Sequence, residues 1–248
     1  MAAVLRPKVD LTVLSAEELK KLEQMRSIFA NEPYPDQEDP SSWFQLEDWT
    51  YVRYLRARDF DLAKSEKMLR DTLEMRRTYS PHKLTPNDAG MRNILNMGIW
   101  RLLPCSKLGE PVALTEVGAF DVNNLENEDV LIRFLVLTSE LACRSIFDFR
   151  GFSLMRVTNT KAMKAIRTLI DIKSSHYPEM LSKVVLFNAP LLFRGPYKII
   201  RPWLPEETER KIVFVSDTKV LDELLDPEHR EQRHGGTRTT DYPAIFYE

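Results

Sequence analysis

The sequence predicts an α/β fold: a mixed, largely parallel sheet flanked by helices, with an N-terminal helical bundle before it. Apolar residues recur at helical spacing through the first third of the chain. Strand-like and helix-like segments then alternate, as βαβ units require. The composition is 43% hydrophobic and 29% charged, which is ordinary for a globular chain and disfavours disorder. At 248 residues the chain suits one large domain or two small ones, with room for a core and a cavity.

Residues 1–14 carry no pattern and read as an arm. Ser15 to Glu18 reads S-x-x-E, a capping box, and Leu19, Leu22, Met25, Ile28 and Phe29 follow as one helical stripe. NEPYPDQEDPSS is a loop by its prolines and acids. Trp49, Val52 and Leu55 mark a second helix. Leu62, Leu69, Leu73 and Arg76 mark a third, with Asp61 as its N-cap. SPHKLTPND breaks the rhythm and places a boundary near residue 85. The expected division is an arm, helix and loop over 1–44, a helical region over 45–85 and an α/β domain over 86–248.

In that last part IWRLLP and PVALTEVG read as strands joined by a turn from Leu108 to Pro111. EDVLIRFLVLTSELACRSIF reads as one long buried helix. FSLMRVT reads as a strand, KAMKAIRTLIDIKSSHY as a helix and KVVLFNAP as a strand, a βαβ unit with a right-handed crossover. LLFRGPYKIIRPWL reads as a helix and KIVFVS as a strand.

Several function classes fall away. The net charge of −2 lacks the basic excess that phosphate neutralisation demands, so no nucleic acid is expected. No signal peptide or transmembrane run is visible, and the expected location is cytoplasmic, with free thiols at Cys105 and Cys143. The histidines His82, His176, His229 and His234 show no ligand spacing, so no metal is expected. No G-x-G-x-x-G, P-loop, H-E-x-x-H or G-x-S-x-G occurs, so neither a cofactor nor an enzymatic activity is expected.

DWTYVRYLRARDF (48–60) resembles the "L-x-R-F-L-R-A-R-x-F" line of the CRAL-TRIO N-terminal region. MLRDTLEMRRTY resembles that region's "M-L-x-x-x-L-x-W-R", and FDFRGFS the family's "D-x-x-G-x-S". HYPEMLSKVVLFNAPLLFRGPYKIIRPWLPEETERKIVFV follows the family's long "Y-P-E … N-A-P … K-P-F-L … T-x-x-K-I" line, and Gly235-Gly236 stands where the family has "E-x-G-G". The resemblance spans residues 45 to 240.

It implies an α/β domain whose helices form a lipid cavity, which takes up one hydrophobic molecule and meets membranes transiently and peripherally. The implied gate is Leu191, Leu192, Phe193, Tyr197, Ile199, Ile200, Trp203 and Leu204. Arg194, Lys198 and Arg201 alternate with these and suit an interfacial helix. By analogy with phosphatidylinositol-binding members, Thr208 and Lys211 hold the inositol phosphate and Glu179 accepts from inositol hydroxyls. Arg58 joins them, and Arg58 or Arg56 offsets Asp59, an acid where the family often carries a base. Met180 replaces an arginine, and Ala113 an aromatic residue frequent in phosphatidylcholine binders. The alternatives are another apolar ligand (tocopherol, retinoid, sterol-like or squalene-like) and a lipid-dependent scaffold for a protein partner.

Overall fold

A computed structural model describes residues 10–39, 42–88, 90–121, 127–142 and 144–239. The chain forms two compact units: a helical one, Ala3–Leu84 with Lys173–Met180, and a sheet one, Thr85–Ile172 with Leu181–Glu248.

Three helices build the helical unit: α1 (Ala16–Phe29), α2 (Asp48–Arg56) and α3 (Leu62–Tyr79). The capping box starts α1, with Glu18 N–H donating to Ser15 Oγ at 3.3 Å and Ser15 N–H to Glu18 Oε2 at 2.7 Å. Leu22, Met25 and Phe29 of its stripe are buried. Asp61 caps α3 by accepting from Lys64 N–H at 3.1 Å. Leu69, Leu73 and Arg76 are fully buried on α3.

The burial of Arg76 needs a countercharge, and the acidic loop provides it. Asp36 is buried and takes Arg76 Nε at 2.8 Å and Nη2 at 2.6 Å. Ser42 Oγ donates to the same carboxylate at 2.7 Å, and the guanidinium lies 4.2 Å from the Phe44 ring centroid. Burial pushes the Asp36 carboxyl up, and the hydrogen bonds and charge of Arg76 more than reverse this, holding it below its usual value. One ion pair thus fixes the loop from Tyr34 to Phe44 against α3.

In the sheet unit α4 (Met91–Asn96) precedes a five-stranded sheet. Its strands are β1 (Trp100–Leu103), β2 (Val112–Glu116), β3 (Arg144–Asp148), β4 (Lys183–Phe187) and β5 (Ile212–Val215), in that spatial order. β1 is antiparallel to β2 and every other pair is parallel. The mixed, largely parallel α/β sheet is as expected.

Two segments differ from the expectation. The long apolar run after Asn127 is not one helix: α5 (Glu128–Leu141) ends, Ala142 is extended, and Arg144 to Asp148 form β3 in the middle of the sheet. A continuous apolar run hides such a break, because buried strand and buried helix share a composition. FSLMRVT is not a strand; its middle forms the short helix α6 (Leu154–Val157). The βαβ unit is therefore β3, α7 (Thr160–His176) and β4. The sheet continues through α8 (Arg194–Ile200) and α9 (Glu206–Arg210) into β5, and α10 (Lys219–Asp222) follows.

Period-two alternation gives the sheet two apolar faces. Val185 and Phe187 point to one, with Leu103, Leu114, Ile146, Leu221, Leu224 and Leu225. Val184 and Leu186 point to the other, with Phe149, Phe193 and Ile200.

The Asp36–Arg76 pair yields a stability prediction. Asp36→Ala leaves a buried guanidinium uncompensated and should lower unfolding free energy by about 3–5 kcal/mol in urea titration. Replacing both partners with apolar residues (Asp36→Leu with Arg76→Met) should cost less than the single change. A single variant as stable as the parent would show that the pair does not brace the loop.

Candidate functional site

The segment from Leu191 to Trp203 is a 3-10 turn (Leu191–Phe193), α8, and a second 3-10 turn (Arg201–Trp203). Helical spacing turns Phe193, Tyr197 and Ile200 to one side. Phe193 is 6% exposed, and its ring centroid lies 4.4 Å from Phe149 and 5.8 Å from Phe152. Tyr197 packs at 6.1 Å from Phe193 and edge-on at 5.1 Å against Phe214 of β5. Burial, with the negative charge of Glu209 nearby, raises the Tyr197 phenol above its usual value.

The opposite side is solvent-facing and apolar. Leu191 is 74% exposed, Leu192 67% and Ile199 54%. Arg194, Lys198 and Arg201 are exposed among them, and Arg201 Nε donates to Glu209 at 2.6 Å. Trp203 and Leu204 are half-buried. Trp203 packs in the same cluster as Ile166 and Ile170 of α7.

The rings of Phe149, Phe152, Phe193 and Tyr197 close on one another where the sheet meets α8. A pocket of about 10 Å³, the space of one water, lies on the other face of the sheet, among Leu103, Leu114, Ile146, Leu225 and His234.

The four headgroup candidates divide between the units. Thr208 and Lys211 share one turn, with Lys211 N–H donating to the Thr208 carbonyl at 3.1 Å. The Lys211 ammonium pairs with Glu207. The Lys211 carbonyl accepts from Val184 N–H at 3.0 Å, tying this turn to the sheet. Glu179 and Arg58 belong to the helical unit. Glu179 is exposed with φ of +60°, a left-handed conformation that strains a side-chain-bearing residue. Its neighbours are held: the Pro178 carbonyl accepts from Arg53 Nη1 at 3.0 Å, and Met180 is buried. Arg53 in turn lies 4.0 Å from the Trp49 ring centroid. Arg58 Nη1 donates to the Ala57 carbonyl at 2.8 Å, beside Asp59 and Phe60, both left-handed. Ala113 is buried in β2.

A polar brace went unforeseen in the sequence. Asp148, 1% exposed at the end of β3, lies 2.9 Å from His234 Nε2. It also accepts from Arg150 N–H at 2.9 Å and Arg150 Nη2 at 2.7 Å. Burial raises its carboxyl, and the bonds from His234 and Arg150 outweigh that, holding it at about 2. Buried Arg230 donates to the carbonyls of His234 at 3.1 Å and Thr218 at 3.2 Å and pairs with Asp222. Two glycines permit the close approach. A Cβ on Gly118 would stand 2.1 Å from the Arg150 carbonyl oxygen, and one on Gly236 2.0 Å from that of Arg230. Both ends of the brace were visible as motifs, D-x-x-G and Gly-Gly; their meeting across 86 positions was not. Among the described residues no group of three His, Cys, Asp or Glu could hold a metal ion.

Known proteins resemble this chain in sequence and in fold. Residues 96–236 match the profile of the CRAL/TRIO domain, and residues 21–71 that of the CRAL/TRIO N-terminal domain. A CRAL-TRIO domain-containing protein of Saccharomyces cerevisiae is 25% identical over 93% of this chain and 81% of its own length. Patellin-6 of Arabidopsis thaliana is 28% identical over 78% of this chain, which spans 52% of that longer relative. The crystal structure of Sfh5 superposes with a TM-score of 0.70, covering 96% of this chain and 91% of that one; at 19% identity it shows the fold alone.

The brace carries a pH prediction. The Asp148 carboxyl sits at about 2 when folded against an ordinary 3.8, so its stabilisation is full above that value and lost as pH falls toward 2. Asp148→Asn should remove about 2 kcal/mol at neutral pH and flatten the parent's loss of stability across that acidic window. Parallel stability curves for the two proteins below pH 4 would contradict it.

Proposed function

Since the chain belongs to the CRAL/TRIO domain family, we propose that it carries one hydrophobic molecule, a phospholipid such as phosphatidylinositol, and delivers or presents it at membranes. The proposed role is carriage, with no bond made or broken. One observation supports it above the rest: the segment from Leu191 to Trp203 has a buried aromatic side and an exposed side mixing apolar with basic residues. A helix serving only as core would hide Leu191, Leu192 and Ile199. A helix that docks on a bilayer shows them, with cations beside them.

Magnitudes favour exchange. Withdrawing Phe193, Tyr197 and Ile200 from the sheet costs about 1.5–3 kcal/mol each. A two-chain phospholipid brings on the order of 30 methylenes at ~0.8 kcal/mol apiece. A bilayer supplies both the lipid, whose methylenes are buried before and after the transfer, and apolar surroundings for the displaced helix, so exchange there runs near balance, whereas release of either into water forfeits that burial. No described helix is long and apolar enough to cross a membrane, and the proposed contact is peripheral, through this exposed side.

In this reading Thr208 and Lys211 bind the phosphate of the headgroup, and Glu179, a candidate of the helical unit, accepts from inositol hydroxyls. Lys211 already has an acid beside it in Glu207, which favours a second reading: an uncharged ligand of tocopherol, retinoid or sterol-like type that needs no phosphate partner.

Native mass spectrometry of the purified protein should show a co-purifying lipid, and failure to find or load one would count against carriage. Lys211→Ala with Glu179→Ala should cut phosphatidylinositol transfer between vesicles at least about tenfold, the weight of one or two charge-assisted bonds. Uptake of an uncharged apolar probe should survive. Undiminished phosphatidylinositol transfer by the double variant would leave the uncharged-ligand reading.

A further inference from the structure

We propose that Arg167 of α7 is the latch of the gate: it holds Trp203 in the closed state, and an anionic bilayer opens the gate by competing for both partners. This rests on the gate reading above. The Arg167 guanidinium carbon lies 5.3 Å from the Trp203 ring centroid, within cation–π range. Trp203 is the last residue of the 3-10 turn that ends the segment. The latch thus grips one end, while Phe193 anchors the other between Phe149 and Phe152. Arg167 lies between Ile166 and Ile170, both packed in the cluster that holds Trp203, while its own side chain is 51% exposed. It therefore stands at the solvent rim of that cluster. Asp171, one turn on, receives its Nε at 3.2 Å from either carboxylate oxygen.

The segment's contacts with Phe149, Phe152 and Phe214 are apolar and indifferent to surface charge, and its ion pair of Arg201 with Glu209 joins it to α9 and not to α7. The Arg167–Trp203 contact differs because each partner has a better place at a charged bilayer. A guanidinium binds phosphate in a bidentate fork. An indole settles at the level of the headgroups. An exposed cation–π contact and the attraction of one cation to an anionic leaflet are of the same order, so a bilayer can displace what water does not. Arg194 and Lys198, exposed on the same segment, bring that leaflet close.

Amide hydrogen exchange on the full chain tests this. Without vesicles, Arg167→Gln should speed exchange across α8 and on to Leu204 roughly two- to fivefold, the weight of one exposed cation–π contact. Arg167→Lys should keep most of the protection. Amides of α7 and β4 should not change, whereas a merely structural role for Arg167 would loosen α7. Phosphatidylserine vesicles should speed exchange at the gate of the parent and add little to Arg167→Gln, and phosphatidylcholine vesicles should do neither. Unchanged gate exchange in Arg167→Gln, equal loosening of α7, or equal effects of the two vesicle types would each overturn the latch. Transfer of pyrene-labelled phosphatidylinositol by the parent, run alongside, separates the two claims. Absent transfer with latch behaviour intact removes only the carrier reading; present transfer with unresponsive gate amides removes only the latch.

Discussion

A largely parallel sheet must be covered on both faces, because its strands present apolar residues to either side. Here the two covers differ in the kind of force that holds them. Leu221, Leu224 and Leu225 lie on one face, and the chain behind them is tied by Arg230 to the His234 carbonyl and by His234 to Asp148. Those bonds are directional, partly charged and buried, so breaking one leaves a group with no substitute partner. On the other face α8 packs through the rings of Phe193 and Tyr197 and the aliphatic carbons of Ile200. Dispersion and burial are non-directional, and any apolar body of suitable shape supplies them equally well. The difference decides which cover a lipid can replace.

The end of β3 is where the two covers meet. Asp148 turns to the polar brace, and Phe149, one residue on, turns to Phe193 beneath α8. Phe149 N–H also donates to the Phe187 carbonyl at 2.9 Å, which extends the ladder past the strand and fixes the ring. The aromatic seat of the proposed gate is therefore held by the backbone ladder and stands next to the brace. A seat that stays in place when its occupant leaves is what repeated opening and closing requires.

The local grammar of the chain was legible in its residues. Ser15 and Asp61 began helices as side-chain chemistry dictates, and the β1–β2 turn fell where Gly109 and Pro111 allowed it. β3 was lost because Ile146 and Phe147 continue the apolar run of α5 with no Gly or Pro to mark the break. The segment proposed as a gate stood out as an apolar surplus between Leu191 and Leu204, but its buried and exposed sides did not. Only the helical phase of Phe193, Tyr197 and Ile200, with a 3-10 turn at each end, separates the buried set from the exposed one. Arg76 was read simply as part of the α3 stripe, and its partner Asp36 lay 40 positions away in the acidic loop. Long-range polar pairs of this kind have no period, so no spacing rule finds them.

On the proposed reading, the exposed and buried sides of α8 also have separable thermodynamic roles. Leu191, Leu192 and Ile199 are already outside in the closed state, so a bilayer gains about as much from them whether the gate is shut or open. A ligand that binds two states equally shifts nothing between them, however tightly it binds. Those three side chains therefore bring the protein to the membrane and cannot by themselves open it. Opening must draw on groups whose surroundings change: Phe193 and Ile200, which leave an apolar seat for an apolar bilayer at little net cost, and the incoming lipid, which fills that seat. In water the same withdrawal exposes both side chains with nothing in return. The asymmetry between the two media lies in residues the closed protein hides and in the Arg167–Trp203 contact at their rim, which is why a gate of this composition stays shut until it reaches a membrane.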